Sequence, residues 1–579
     1  KKGPSMAGAA AAAGEGCPAA GGANGGAALL QRTARSEVKA LKLHDDGHRD
    51  PLSPNTVGWN PDSLLRVREL LNGSAALPEW AAAAKAALAR ESGRRAGLPA
   101  GLREGVGPGP WSPAGQGPDP PAPGTSRDYA TVSGYYWPCY ATCPTVEFGE
   151  EPCAAGWVMP SGACNQSTGL PYCKHDGFLN KENLDDLNAM IVMMDTVEAL
   201  TLAWWLLPEH NESLAQTAVH VLRKWFFDES EGMMPRLLYG ASIPGVYKGT
   251  AGALIAPSFR LNSRLSDCVE LLKGADAWTA ADGASWSRWA GAWLEWMETS
   301  EFGQNELRAV GNHATFLLLH KLALARALGN SSVILDIAGK IRTGLAGSLA
   351  EQIAPSGEMP VETARATGKA YSLMNLAGLF RLGEAAEGAC RGLPCEPAWD
   401  WSWEAAAGAS SHWESFADEI SHCRYKGHGS TSSAEACKAS CLAAAGCNGV
   451  VTREKHGALV GCYFKLCAGT VYQHRAVSPG ANVYTSYHYV EGAPVGSGSV
   501  RRALDFMRPY ALGAKSWAAD FPTSIDAGGS WRDLALPLRI AAAKYGEAAY
   551  EEEIALVDPN GWFAEHTFSS LLFPPADAS

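Results

Sequence analysis

The sequence predicts a mainly α protein built of antiparallel helix hairpins, with one small disulfide-rich α+β insert. Three observations carry this. Between residues 181 and 387 apolar residues recur at helical spacing in seven successive segments, and short connections between them make neighbours antiparallel. Near residue 413 the helical pattern stops, and six of the fifteen cysteines arrive between Cys423 and Cys467 beside alternating β-type runs. Helical text then resumes at Val500. A hydrophobic fraction of 46% over 579 residues allows a large core and excludes a disordered or fibrous chain.

The elements follow in order. Residues 1–30 are a low-complexity Ala/Gly-rich segment, too poor in branched apolar residues to fold alone. Residues 31–412 form the first part of the helical domain, opening with a helical region at Ser63–Arg94 and then a Pro/Gly-rich separator, Gly97–Gly124. From Arg127 to Tyr172 the aromatic, Cys-rich and turn-rich text is expected to be stapled loop. Helices are expected at Lys181–Leu207, Ser213–Phe227, Asn262–Leu272, Thr279–Thr299, His313–Leu328, Ile334–Ile353 and Lys369–Glu387. Thr279 followed by Asp282 is a capping-box start. The insert occupies 413–490, with Val450–Thr452 and Asn482–Tyr489 as strands. Residues 491–579 return to helices at Val500–Leu512 and Trp531–Tyr545. An insertion between helices costs little, because loop-closure entropy grows slowly with length.

Charge and cysteine usage bound the partners. Asp plus Glu exceed Lys plus Arg, 60 to 48, for a net −12, and no basic run stands out, so neither nucleic acid nor an anionic membrane is an expected partner. The longest apolar stretch beyond the N-terminal alanines, Ala199–Pro208, has ten residues, and a spanning helix needs roughly 20. No cysteine pair has the C-x₂-C spacing of a metal knuckle, so the clusters read as disulfides of an oxidising compartment, with no metal or cofactor expected. Sequons at Asn72, Asn165, Asn211 and Asn330 agree with secretion to the cell wall or extracellular matrix. The opening at Lys1 without a signal peptide then reads as a processed form. An odd number of cysteines leaves at least one unpaired within the chain, and Cys268, in helical text, is the expected buried thiol, with Cys17 the other candidate.

One run of motifs is specific. Asp128–Pro138 (DYATVSGYYWP) is followed by His175-Asp176-Gly177, by Trp225-Phe226 leading to Met234-Pro235-Arg236-Leu237 and Tyr239, then by Glu306, Gly311-Asn312-His313 and Glu362-Thr363-Ala364-Arg365 with Tyr371. In order and rough spacing this resembles the alginate lyase domain family, akin to polysaccharide lyase family 5. The resemblance implies an (α/α) toroid, an incomplete barrel of antiparallel hairpins, acting on 4-linked uronic-acid polymers by β-elimination.

That chemistry needs the C5 carboxylate neutralised, a base for the C5 proton and an acid for the departing O4. Arg365 offers a charged fork for the carboxylate and Asn312 an amide donor; His313 titrates near neutrality, and Tyr371 moves a proton. The resemblance gives Asn312 and Arg365 the neutralising role and His313 and Tyr371 the proton transfers. Tyr135, Tyr136 and Trp137 in loop text are candidate sugar platforms, joined as substrate-binding candidates by Arg236, Tyr239 and His320, the last on the same helical face as His313. Core packing is the other reading of His320. Glu306 and Glu362 are the motif-linked acids, and Glu362, three residues before Arg365, is expected to pair with it.

The family usually writes asparagine where this chain has Gly311 and often histidine where it has Ala370. The alternative function is therefore an extracellular glycan-binding or structural glycoprotein that keeps the fold without cleaving. Trp286, Trp289, Trp293 and Trp296 fall on one helical stripe and read as core.

The insert, with Cys437-x₃-Cys441-x₅-Cys447 and Cys462 in Gly-Cys-Tyr-Phe-Lys, resembles the PAN/Apple module. The resemblance implies pairs Cys437–Cys462, Cys441–Cys447 and Cys423–Cys467, and an extracellular protein or glycan as ligand.

Overall fold

The computed structural model describes residues 54–97, 127–138, 169–170, 172–180, 185–209, 211–244, 251–343, 352–395, 412–417, 423–429, 433–444, 447, 449–455, 458–467, 482–490, 499–559, 561, 563 and 569–575. Segment 1–30, Asn165, and the cysteines at 17, 139, 143, 153 and 164 lie outside them.

Helices dominate. The expected region at 63–94 is two helices, α1 (Pro61–Asn72) and α2 (Glu79–Ala96), separated at Pro78, whose ring cannot continue a helix. Then come α3 (Asp185–Leu206), α4 (Glu212–Leu222), α5 (Ile255–Leu272), α6 (Ala280–Thr299), α7 (Glu301–Arg308), α8 (Asn312–Ala327), α9 (Ser331–Thr343) and α10 (Gly368–Cys390). After the insert follow α12 (Val500–Ala511), α13 (Ala535–Tyr545) and α14 (Ala548–Val557), with α11 (Ala434–Leu442) inside it. The sequence reading missed the short α7, α11 and α14.

Helix α5 starts seven residues earlier than expected. Asn262, the predicted start, sits at a kink inside it (φ 26°, ψ −129°), and its Oδ1 accepts the Arg264 N–H at 3.1 Å. Asn262 therefore caps the second half of a broken helix. The capping box of α6 forms as expected: Asp282 receives the Thr279 N–H, and the Thr279 hydroxyl receives the Asp282 N–H.

Helix α8 is central. It packs against α5, α6, α7, α9 and α10, and Ala314 through Arg326 are buried on every face. That explains why α8 shows so little amphipathic pattern: from Ala314 to Arg326 nothing on it faces water. Its neighbour α6 presents the tryptophan stripe, whose rings stack in succession with centroids 6.3, 5.6 and 5.7 Å apart. Helix α3 is long and apolar enough to cross a membrane by composition alone, yet 78% of that window is buried inside the fold. Its Met190, Met193, Met194, Val197 and Leu200 belong to the common core.

Two short sheets hold the loop text in place. β1 (Ala130–Val132) runs parallel to β4 (Tyr239–Ser242), and β2 (Tyr136–Trp137) pairs antiparallel with β3 (Cys173–Lys174). Asp186, at the start of α3, accepts the Ala130 N–H at 2.7 Å and anchors β1.

The insert is a five-stranded antiparallel sheet, ordered β5 (His412–Ala417), β9 (Asn482–Val490), β7 (Gly449–Lys455), β8 (Ala458–Cys467), β6 (Cys423–His428). Cys437–Cys462 ties α11 to β8, and Cys441–Cys447 closes the end of α11, the two pairings expected. The backbone register sets Cys423 opposite Cys467; the side chains of that pair lie outside the described ones. A further disulfide joins Cys390 to Cys395, and Cys268 is a buried thiol, free among the described residues. β6 and β8 pack against the one-turn helix Pro360–Thr363, which brings the insert beside the segment carrying Glu362 and Arg365.

Candidate active site

Asn312 and His313 occupy the first turn of α8, entered through Gly311 in a left-handed conformation (φ 95°). Arg365 follows the turn Pro360–Thr363, and Tyr371 lies in the first turn of α10. Packing of α8 against α10 brings the two helix starts together; there Glu362 holds Asn312, Glu306 holds His313, and Arg365 meets Tyr371.

The Asn312 backbone N–H donates to Glu362 Oε1 at 2.7 Å, and Nδ2 donates to Oε1 and Oε2 at 3.0 and 2.8 Å. Glu362 is fully buried. Burial pushes its carboxyl above the ordinary range, opposed by the Asn312 bonds and by the charges of Arg365 and His313. Glu362 is thus the partner of Asn312, and the expected Glu362–Arg365 pair does not form; the guanidinium goes elsewhere.

Arg365 donates from Nε to Asp176 Oδ2 at 3.0 Å and from Nη2 to Oδ1 at 2.6 Å. Nη2 also donates to the Tyr371 hydroxyl at 3.2 Å, and the guanidinium lies 3.9 Å from the Tyr371 ring centroid. The fork assigned to a substrate carboxylate is therefore held by Asp176, leaving Nη1 outside that pair. Asp176 sits in a turn fixed by its neighbours: the His175 N–H donates to the Tyr135 carbonyl at 2.7 Å, and Gly177 (φ 87°) comes close to Ala366 and Ile525. That close approach is why the motif reads His-Asp-Gly.

The hydroxyls of Tyr371 and Tyr135 are 2.7 Å apart. Burial drives the Tyr371 hydroxyl well above its ordinary pKa; Arg365 pulls it down, and the neighbouring Tyr135 and Asp176 push it up. The resting phenol is protonated and poised to donate. His313 Nδ1 lies 2.9 and 3.0 Å from the two oxygens of Glu306, so Nδ1–H donates and Nε2 keeps the lone pair. Burial pulls the His313 pKa down, and the charge and hydrogen bond of Glu306 outweigh it, so the imidazole sits above its ordinary value. The His313 side chain is 31% exposed, whereas Glu306 beneath it is buried.

The other candidates divide. Tyr135, Tyr136 and Trp137 are half-buried at the loop edge, with Trp137 Nε1 held by the Phe178 carbonyl at 3.1 Å. Arg236 is committed to Asp128 through Nε at 2.6 Å and Nη2 at 3.1 Å. Tyr239 is buried in β4, which leaves it little surface for a sugar. His320 is corrected outright. It is 0% exposed, lies 6.2 Å from the Trp293 ring and is held neutral by burial, with a pKa of about 3. Because α8 is enclosed on all sides, sharing a helical face with His313 does not bring it to the cleft.

Sequence reasoning gave no role to Asp176, and none to Asp526, which accepts the Lys369 and Ala370 N–H groups at 3.4 and 2.7 Å. It caps α10 from a distant segment, since the residue before the helix, Thr367, makes no side-chain cap. The His-Asp-Gly turn was the signal for Asp176; Asp526 had none.

A profile of the alginate lyase family matches residues 118–392. Over that segment the chain is similar to the family. The match supports a polysaccharide lyase, and Asn312, His313, Arg365 and Tyr371 all fall within it. An alginate lyase from Bacteroides ovatus, solved as a crystal structure, superposes with a TM-score of 0.59 at 20% identity. The alignment covers 90% of this chain and 99% of that one, which establishes the shared fold. No curated protein matches the chain. The matched lyase domain ends before the disulfide-rich sheet begins.

Proposed function

We propose that the protein is a secreted lyase that cleaves a 4-linked uronic-acid polymer, alginate-like, by β-elimination. The observation that carries this is the pair of groups at two packed helix starts: Arg365 bonded to the protonated Tyr371, and His313 held by Glu306. Arg365 and Asn312 offset the charge of the C5 carboxylate. His313 Nε2 is oriented as base for the C5 proton, and Tyr371 donates to O4 as the C4–O4 bond breaks and the C4=C5 bond forms. Glu306 strengthens the base by stabilising the imidazolium formed when the proton arrives.

The insert is read as a PAN/Apple-like module that helps hold the enzyme to an extracellular matrix, and the sequons at Asn72, Asn165, Asn211 and Asn330 as glycosylation sites. Support for the first is the disulfide pattern around α11.

The test is incubation with alginates and glucuronans while following the ultraviolet absorbance of the unsaturated uronate, a product only elimination makes. Appearance of that chromophore supports the reading. Retention of polymer on the protein with no chromophore favours the glycan-binding alternative.

A further inference from the structure

Gly311 and Glu362 fit each other. A Cβ at residue 311 would stand 2.5 Å from Glu362 Oε1 and 3.3 Å from Val361 Cγ1, and φ is 95° there, a conformation that side chains resist. No side chain fits at 311 while the carboxylate stays where it is. The carboxylate in turn takes three hydrogen bonds from Asn312 alone.

That arrangement determines which way the Asn312 amide faces. A carboxylate only accepts, so the group lying 3.0 and 2.8 Å from its two oxygens must be Nδ2. The consequence is visible on the other side of the amide: Asn312 Oδ1 is buried with no hydrogen-bond partner among the described residues. An unsatisfied buried carbonyl is costly, and an amide free to turn would not settle there. An amide nitrogen carries two N–H groups, and one that bridges both carboxylate oxygens leaves the second for another acceptor.

We propose that Glu362 is a positioning residue that clamps the Asn312 amide with its donor side set, and that Gly311 is the residue that makes room for this clamp. The catalytic consequence rests on the lyase reading, in which Asn312 donates to the substrate carboxylate. The glycine is then an accommodation within a working site rather than a sign of lost activity.

The test is a double-mutant cycle on the full chain with Glu362→Gln, Asn312→Ala and the pair together. Glutamine keeps the shape but donates as well as accepts, so the amide can turn over. Asn312→Ala is expected to lower kcat/KM by about 10²-fold, the scale of one donor lost at a developing charge. Glu362→Gln should lower kcat by at least about 10-fold with KM nearly unchanged, but by less than about 2-fold once Asn312 is alanine. Gly311→Ala should reproduce the Glu362→Gln defect, and combining these two should add little. Equal effects of Glu362→Gln in both backgrounds overturn the proposal. So does a fully active Gly311→Ala.

The same cycle read by thermal unfolding decides the clamp without turnover. Non-additive Tm shifts uphold it and additive shifts overturn it. A wild type that yields no unsaturated product from any uronan defeats the lyase reading, whereas an active wild type with additive variants defeats this inference alone.

Discussion

The hydroxyls of Tyr135 and Tyr371 meet at 2.7 Å although 236 residues separate them in the chain. One belongs to the loop text before β2 and the other to the first turn of α10, so the pair exists only because the helical core seats the loop over the helix start. Tyr371 is also within 3.2 Å of Arg365 Nη2. A phenol placed between a second phenol and a guanidinium has a defined proton path.

Tyr371→Phe tests that path. The ring and its packing survive while the hydroxyl is lost, so turnover should fall by at least about 10²-fold, the usual scale for removing a general acid–base group. KM should barely move. A variant that retains near wild-type turnover would remove Tyr371 from the mechanism.

Glu306→Gln tests the histidine. Its carboxylate holds the His313 pKa above the ordinary value, and a base must be neutral to act. Wild-type kcat/KM should therefore rise with pH through that raised pKa. In the variant the acidic limb should move to lower pH, with a smaller maximal rate because the base is weaker. The linked stability runs the opposite way with pH. Protonated His313 paired with Glu306 stabilises the fold fully below the unfolded-state pKa, and that contribution fades as pH rises through the higher folded value. An acidic limb unmoved by Glu306→Gln in the pH–rate profile would show that another group sets it.

Arg365→Ala removes the charge that offsets the substrate carboxylate and also removes the ion pair that neutralises Asp176. Both effects act against an anionic polymer, so substrate binding should weaken along with turnover. Asp176→Asn keeps the Arg365 charge and removes its competitor, so binding of a uronan oligosaccharide should hold or tighten. Titration calorimetry distinguishes the two, and tighter binding by Arg365→Ala would contradict the neutralising role.

The insert makes a covalent prediction. Non-reducing peptide mapping should recover Cys437–Cys462, Cys441–Cys447 and Cys423–Cys467 within the sheet, with none of the six joined to a cysteine of residues 139–173. Cys268 should react with a thiol reagent only after unfolding, because it is fully buried and burial raises its pKa. A cross-link between the sheet and the 139–173 region would refute the reading of the insert as a self-contained framework.

The sequence by itself determined the local structure. The capping box at Thr279 and Asp282 needs only its own residues, and it formed. The tryptophan stripe of α6 follows from helical periodicity, and it packed as core. The motif also named residue types that chemistry alone could interpret: a fork, an amide, an imidazole and a phenol.

Pairing was decided by the tertiary structure. Glu362 and Arg365 are close in sequence, but the helix between them ends at Thr363, so the two side chains diverge to Asn312 and Asp176. His313 and His320 share a helical face, yet the former is part-exposed at the open end of α8 and the latter is sealed by neighbouring helices. Asp526 caps α10 across 157 residues. Spacing along a chain specifies which neighbours a side chain has within its own helix. Which distant group meets it depends on how helices pack, and that is a property of the whole core.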